Sequence, residues 1–246
     1  MFDLHGRCAL VTGAGQSVGE GIARALAGQG ARVLVNDIVA ERAHTLVAAI
    51  EQAGGAAAPV VFDVTDLDQV TSAIAGFDPV DIVINNAGNA GAHPMQPRPF
   101  VEMTPDEWDA PIRVNLYGVF HTTHAVLGGM IEREWGRIIT ISSGAGSMGV
   151  GIGVSPYSAA KGAGQAFMRS LAIETARTGV TANAVAIGLM DNTAGGDVTS
   201  GLARTIPVGR LGTPADVAAM CVYLAADESA WVTGQTLHVN GGSLTT

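Results

Sequence analysis

Arg7-Cys8-Ala9-Leu10-Val11-Thr12-Gly13-Ala14-Gly15-Gln16-Ser17-Val18-Gly19-Glu20-Gly21 carries an apolar run into a glycine turn and on into a helical pattern. The run 7–12 predicts a strand and 19–29 a helix, with a second strand at 31–35. A glycine turn between a strand and a helix start leaves backbone N–H groups and the positive end of the helix dipole facing one point. In a strand–helix–strand unit that point is a seat for the pyrophosphate of a dinucleotide.

The same alternation runs outward along the chain. Helices are expected at 40–53, 67–75, 105–133, 156–177 and 214–226, and strands at 57–62, 81–84, 137–141, 180–186 and 235–239. Thr104 with Glu107 three residues on reads as the helix cap of 105–133, and Thr213 caps 214–226. Strands apolar on both faces and separated by helices imply an α/β fold, doubly wound, with a seven-stranded parallel sheet and helices on both faces. No repeat or linker interrupts the pattern, so residues 1–246 are expected to form one domain. The segments 89–101 and 189–205, rich in Gly or Pro, are the irregular ones.

Composition narrows the function classes. The chain has 246 residues, 48% hydrophobic and only 14% charged, which supplies a sizeable core. A net charge of −9 with no basic stripe argues against nucleic acid as partner. Cys8 and Cys221 lie in apolar contexts without metal-ligand spacing and read as buried free thiols. The N-terminal Met-Phe-Asp-Leu-His-Gly has no basic-then-apolar leader pattern. Residues 138–160 are uncharged, but their Gly, Ser and Pro156 make a poor membrane span. The expectation is a cytoplasmic enzyme with no membrane or nucleic-acid partner and no metal.

Asp37 ends the second predicted strand in Val33-Leu34-Val35-Asn36-Asp37. A carboxylate there accepts both hydroxyls of an adenosine ribose and repels a 2′-phosphate. No Arg or Lys adjoins it in sequence or lies in the glycine loop, so NAD is expected over NADP.

Tyr157 and Lys161 in Tyr157-Ser158-Ala159-Ala160-Lys161 share one face of a helix. A phenol of pKa about 10 is a poor base at neutral pH. An ammonium held ~4 Å away at an effective dielectric of ~20 stabilises the phenolate by up to ~4 kcal/mol. The expectation is a phenol pKa lowered by up to ~3, able to exchange protons with an alcohol or carbonyl.

Together these segments resemble the short-chain dehydrogenase/reductase family over nearly the full chain, nearest in motifs to its 3-oxoacyl-carrier-protein-reductase-like members. Thr12-Gly13 to Gly19 is similar to the family's Thr-Gly-x-x-x-Gly-x-Gly, with Ser17 in place of the middle glycine. Ser17 still offers an N–H and a hydroxyl to phosphate provided its backbone avoids conformations only glycine tolerates. The resemblance implies a Rossmann domain with Gly13, Gln16, Ser17, Val18 and Gly19 around the pyrophosphate. It further implies Asp63 and Val64 beside the adenine. Asn86, Ala87 and Gly88 of Asn85-Asn86-Ala87-Gly88 would line the cofactor ribose. Past the sixth strand, Ile187-Gly188 stands where the family shows Pro-Gly. Gly188, Met190 and either Asn192 or Thr193 are expected to meet the cofactor there.

The implied catalytic set is Asn115, Ser143, Tyr157 and Lys161, with Ser142 as alternative to Ser143. Tyr157 would move the substrate proton, Lys161 would lower its pKa and bond the nicotinamide ribose, Ser143 would hold the substrate oxygen, and Asn115 would order a relay water. The function this implies is an NAD-dependent secondary-alcohol dehydrogenase or ketone reductase. A 3-oxoacyl-[acyl-carrier-protein] reductase using NADPH is the alternative, disfavoured by Asp37, the negative charge and the alternation Glu132-Arg133-Glu134. A non-catalytic dinucleotide-sensing protein and a methyltransferase explain the Tyr–Lys pair less well.

Four further features are expected to be secondary. His121 and His124 lie three apart, with a solvent or subunit contact favoured over metal. His93 reads as solvated. Met148, Val150, Ile152 and Met190 flank the expected substrate site. Helices 105–133 and 156–177, with Ala159, Ala160, Gly162, Ala163 and Gly164, resemble those that pair subunits in the family, implying a homotetramer.

Overall fold

The structure, a computed structural model, describes residues 1–77, 79–88, 96–191 and 201–245. Seven parallel strands form one sheet in the order β3-β2-β1-β4-β5-β6-β7. They are β1 (Cys8–Val11), β2 (Arg32–Asn36), β3 (Ala56–Val60), β4 (Ile82–Asn85), β5 (Gly136–Ser143), β6 (Val180–Ile187) and β7 (Thr236–Val239). The helices are α1 (Ser17–Gly28), α2 (Ala40–Gln52), α3 (Leu67–Ile74), α4 (Pro105–Ile112), α5 (Gly118–Glu132), α6 (Ser155–Glu174) and α7 (Pro214–Ala225). This is the doubly wound Rossmann-like architecture the patterning predicts.

Strand alternation sorts the core into two layers. In β1, Ala9 and Val11 face α1, α2 and α7, whose Ile22, Leu46 and Cys221 complete that layer. Cys8 and Leu10 face the opposite way, toward α3, α5 and α6 with Val70, Met130 and Met168. Burying a Leu or Ile side chain of this kind contributes about 1.5–3 kcal/mol. Pro59 sits inside β3, tolerated because β3 is an edge strand with one side free of ladder bonds.

Both predicted caps form. Glu107 accepts from the Thr104 N–H at 2.7 Å, and Asp216 does the same for Thr213 at 2.7 Å. The helical stretch expected at 105–133 is divided by a five-residue π turn, Arg113–Tyr117, between α4 and α5. Pro111 cannot donate a helical hydrogen bond, and its carbonyl accepts from the Asn115 side chain at 2.7 Å. No helix among the described residues is long and apolar enough to cross a membrane.

Strand order reverses between β1 and β4, which leave in opposite directions along the sheet. In such sheets the crevice opens at the C-terminal strand ends on either side of that switch. The glycine loop, Asp37 and Asn86 follow the ends of strands on that rim, and Ser143 is the last residue of β5 there.

Candidate active site

A cavity of about 720 Å³ occupies this crevice. At one end lies the glycine loop. Gly13 has a φ of +58°, where a Cβ would lie 3.0 Å from the Ala87 Cα. A Cβ on Gly19 would lie 2.3 Å from the Gly13 carbonyl oxygen. The loop is bound to the end of β4: Asn86 Nδ2 donates to the carbonyls of Thr12 at 2.9 Å and Gly13 at 3.0 Å. The Thr12 hydroxyl accepts from the N–H groups of Asn86 and Ala87 at 3.0 and 3.1 Å. Gln16 is the N-cap of α1 but makes no side-chain cap bond, so the helix start keeps its donors for an anion. Gln16, Ser17 and Val18 line the cavity with the glycines. Ser17 has a φ of +51°, in the left-handed region that favours glycine but that other residues also enter.

Asp37 is buried, its carboxylate accepting from the N–H groups of Gly15 at 3.1 Å and Val39 at 2.9 Å. The expectation that no cation stands beside it is corrected by Arg42, whose Nη1 lies 4.0 Å from Asp37 Oδ1. Arg42 sits five positions on, in the first turn of α2, which folds back over the glycine loop; it lines the cavity and offers a counter-charge at the ribose end. Asp63 and Val64 line the neighbouring wall. A Cβ on Gly88 would come within 3.0 Å of Asn115 Oδ1 and 3.1 Å of Lys161 Nζ. That bare backbone beside Lys161, the uncapped helix start and the strand-end carboxylate together fit an extended dinucleotide.

At the other end stand Ser143, at the last position of β5, and Tyr157 and Lys161 on the first turns of α6. The Ser143 hydroxyl stands beside the Tyr157 phenol on the cavity wall, near enough to favour its ionised form. Ser142 is buried, and its hydroxyl donates to the Lys161 carbonyl at 3.1 Å. Lys161 is buried, and Nζ donates to the Ile141 carbonyl at 2.7 Å. Nζ lies 5.8 Å from the centroid of the Tyr157 ring.

The expectation that Lys161 lowers the Tyr157 pKa is corrected. Burial pushes the Tyr157 phenol above its ordinary value, and the neighbouring Ser143 hydroxyl only partly opposes that. Lys161 absorbs the larger effect: desolvation of its ammonium brings it down to about 8. Asn115, on the π turn, lies behind Lys161 across Gly88.

Gly188 and Met190 line the cavity, as do Leu189, Leu202 and Leu211, which the sequence did not single out. A Cβ on Gly188 would lie 2.8 Å from the Asn240 Cα, so the end of β7 excludes any side chain there. Met148 and Ile152 are exposed and do not line the cavity, nor does Val150. His121 Nδ1 lies 2.9 Å from the Val64 carbonyl oxygen. Asn192, Thr193 and His93, with the rest of 192–200 in the irregular segment 189–205, lie outside the described residues. Of the small residues on α6, Ala160 and Gly164 are buried within the chain, and Gly162 lies against the 144–146 turn, so those three serve internal packing.

A dinucleotide crevice closed by a Ser–Tyr–Lys cluster on a parallel sheet defines a class of oxidoreductases. The family model described as enoyl-(acyl carrier protein) reductase matches residues 13–243. The chain belongs to the short-chain dehydrogenase/reductase family and is an enzyme of that oxidoreductase class. It is similar to the 3-oxoacyl-[acyl-carrier-protein] reductase of Escherichia coli, 38% identical over 98% of each chain. Among solved structures it is similar to a gluconate 5-dehydrogenase from Burkholderia cenocepacia in complex with NADP and tartrate. That match has a TM-score of 0.90 and 36% identity over 98% of this chain and 96% of that one. A 3-oxoacyl-[acyl-carrier protein] reductase from Brucella melitensis with bound NAD matches with a TM-score of 0.93 and 34% identity, over 99% and 94%.

Proposed function

We propose that this chain interconverts a secondary alcohol and a ketone by nicotinamide-dependent hydride transfer, with Tyr157 as the proton-transfer group. The observation carrying this reading is the convergence of Ser143, Tyr157 and buried Lys161 on one wall of the cavity, with Lys161 one turn beyond Tyr157 along α6. When bound, the nicotinamide supplies or accepts the hydride. Ser143 and Tyr157 both address the substrate oxygen: Ser143 holds it, and the Tyr157 hydroxyl gives or takes its proton. Lys161, with Asn115 behind it, passes the proton toward solvent.

Tyr157 and Lys161 act as a pair, and a pair titrates jointly. With burial holding the phenol protonated and Lys161 at about 8, the pair is fully protonated at neutral pH and loses its first proton near 8. Ketone reduction needs the fully protonated pair, so its rate falls as pH rises through about 8. Alcohol oxidation needs the pair short of one proton, so its rate rises over the same interval.

NAD is favoured over NADP because a strand-end carboxylate such as Asp37 accepts ribose hydroxyls and repels a 2′-phosphate. Arg42 weakens that preference, and the two solved relatives carry NADP and NAD respectively. The apolar walls Leu189, Met190 and Leu202 suit an uncharged substrate. A second reading, 3-oxoacyl-[acyl-carrier-protein] reductase, is favoured by the similarity to the Escherichia coli enzyme. The proposed location is the cytoplasm, where the two buried thiols stay reduced.

The test follows reduced-cofactor absorbance with each nicotinamide, against aliphatic, cyclic and aryl alcohols and ketones and 3-oxoacyl thioesters. Turnover of simple alcohols or ketones with NAD supports the first reading, and turnover confined to thioesters with NADPH supports the second. Tyr157→Phe should lower kcat about 10²–10⁴-fold and leave cofactor binding nearly intact. Near-full activity in that variant would end the assignment.

A further inference from the structure

Gln165 stands one helical turn beyond Lys161 and two beyond Tyr157, so the three occupy one stripe of α6. Each makes contact with the end of β5. Tyr157 meets Ser143, and Lys161 meets the Ile141 carbonyl. Gln165 is buried and does not line the cavity. Its Nε2 donates to Ser142 Oγ at 2.8 Å and to the Ser143 carbonyl at 3.3 Å. The Ser147 hydroxyl donates to its Oε1 at 3.2 Å. One side chain therefore ties both the entrance and the exit of the 144–146 turn to the helix that carries Tyr157.

The turn has little freedom apart from this bracket. A Cβ on Gly146 would lie 2.7 Å from the Gly162 nitrogen and 2.8 Å from the Lys161 carbonyl carbon, so turn and helix backbones touch. Ser143 Oγ accepts from the Ala145 N–H at 3.2 Å, so the aim of that hydroxyl follows the turn. A buried amide must keep its hydrogen-bond partners, a demand that a leucine of similar volume would not make. What the amide adds over a leucine is a fixed distance between β5 and α6.

We propose that Gln165 is a positioning residue, holding the 143–147 segment so that Ser143 Oγ keeps its place beside the Tyr157 hydroxyl. This rests on the reading of Ser143 and Tyr157 given above. It acts through Ser143 and does not touch substrate.

The test has two arms, both on the intact enzyme. Gln165→Leu keeps the volume and removes every hydrogen bond; Gln165→Met makes the same deletion with a straight chain if the leucine variant fails to fold. In crystal structures of the parent enzyme and the variant, the Ser143 and Tyr157 hydroxyls are expected to stand further apart in the variant while the sheet stays in place. A variant that keeps the parent spacing overturns the proposal. In steady-state kinetics on a substrate from the screen, kcat should fall about 10–100-fold, as expected for a reacting group displaced by about 1 Å. The KM for cofactor should stay within about twofold, because uniform binding is untouched. In a Ser143→Ala background the same substitution should cost nothing further. An equal loss of kcat in both backgrounds also overturns it. If the unmodified enzyme turns over none of the compounds, the proposed function fails, and the crystallographic arm still decides the role of Gln165.

Discussion

At the scale of single residues, the departures from the usual motif carry the clearest consequences. Ser17 occupies a φ of +51°, a region that costs an L residue roughly 1–2 kcal/mol. Glycine there relieves the strain but adds about 0.5–1 kcal/mol of unfolded-state entropy. Ser17→Gly should therefore stabilise the fold by a net ~0.5 kcal/mol or more, read as a rise of about 1–3 °C in thermal unfolding. Lys161 presents the opposite balance. Its ammonium is buried and its pKa falls to about 8, below the unfolded value near 10.4, so the cation destabilises the fold at neutral pH. Between about 8 and 10.4 the unfolded chain holds more protons, and stability rises with pH. Lys161→Met should lose activity yet gain thermal stability at pH 7, and the gain should shrink as pH passes from about 8 to 10.4. A gain unchanged with pH would refute the charged state assigned to this side chain.

At the scale of elements, the strand–loop–helix unit from β1 to α1 works as one piece because backbone fills the space that side chains would need. Gly19→Ala brings a methyl group to 2.3 Å from the Gly13 carbonyl oxygen, and backbone cannot yield as a flexible side chain does. The expected outcome is a loss of dinucleotide affinity of tenfold or more by calorimetry, with a lowered melting temperature. This unit was legible in the sequence because strand, turn and helix each leave a local pattern. So were the caps at Thr104 and Thr213, whose partners lie three residues away. Arg42 escaped because its approach to Asp37 depends on how α2 folds back over the loop, which no local spacing records. Gln165 did leave a signal: a polar residue continuing the Tyr157–Lys161 stripe by one more turn. The place of the Ser142 hydroxyl, bonded to the Lys161 carbonyl, needed the packing of β5 against α6.

At the scale of the whole molecule, the exposed apolar groups along α5 and α6 call for partners. Tyr117 at the α5 entrance and Ile173 near the end of α6 stand 50% and 78% exposed. Ala159 and Ala166 lie on the same outer side of α6, where close helix approach is sterically open. We propose a homotetramer built on these helices, as expected from the family resemblance. Sedimentation equilibrium should give four chains per particle, and Ile173→Glu should shift the distribution toward smaller species. A monomer at micromolar concentration would remove the proposal. The doubly wound order was readable from the alternation of elements, whereas the burial of Ala160 and Gly164 inside the subunit was not, since small residues suit internal and external packing alike.

The reversal of direction between β1 and β4 has a consequence for how such an enzyme can diversify. The functional groups sit around one rim of the sheet, on strand ends, connectors and the first turns of α6, while the two apolar layers lie beneath it. Selection for new substrates can rewrite the connectors away from Ser17, Gly19 and Lys161, and selection for thermal endurance can rewrite the layers. A laboratory evolving this scaffold could run both campaigns separately and merge the winners.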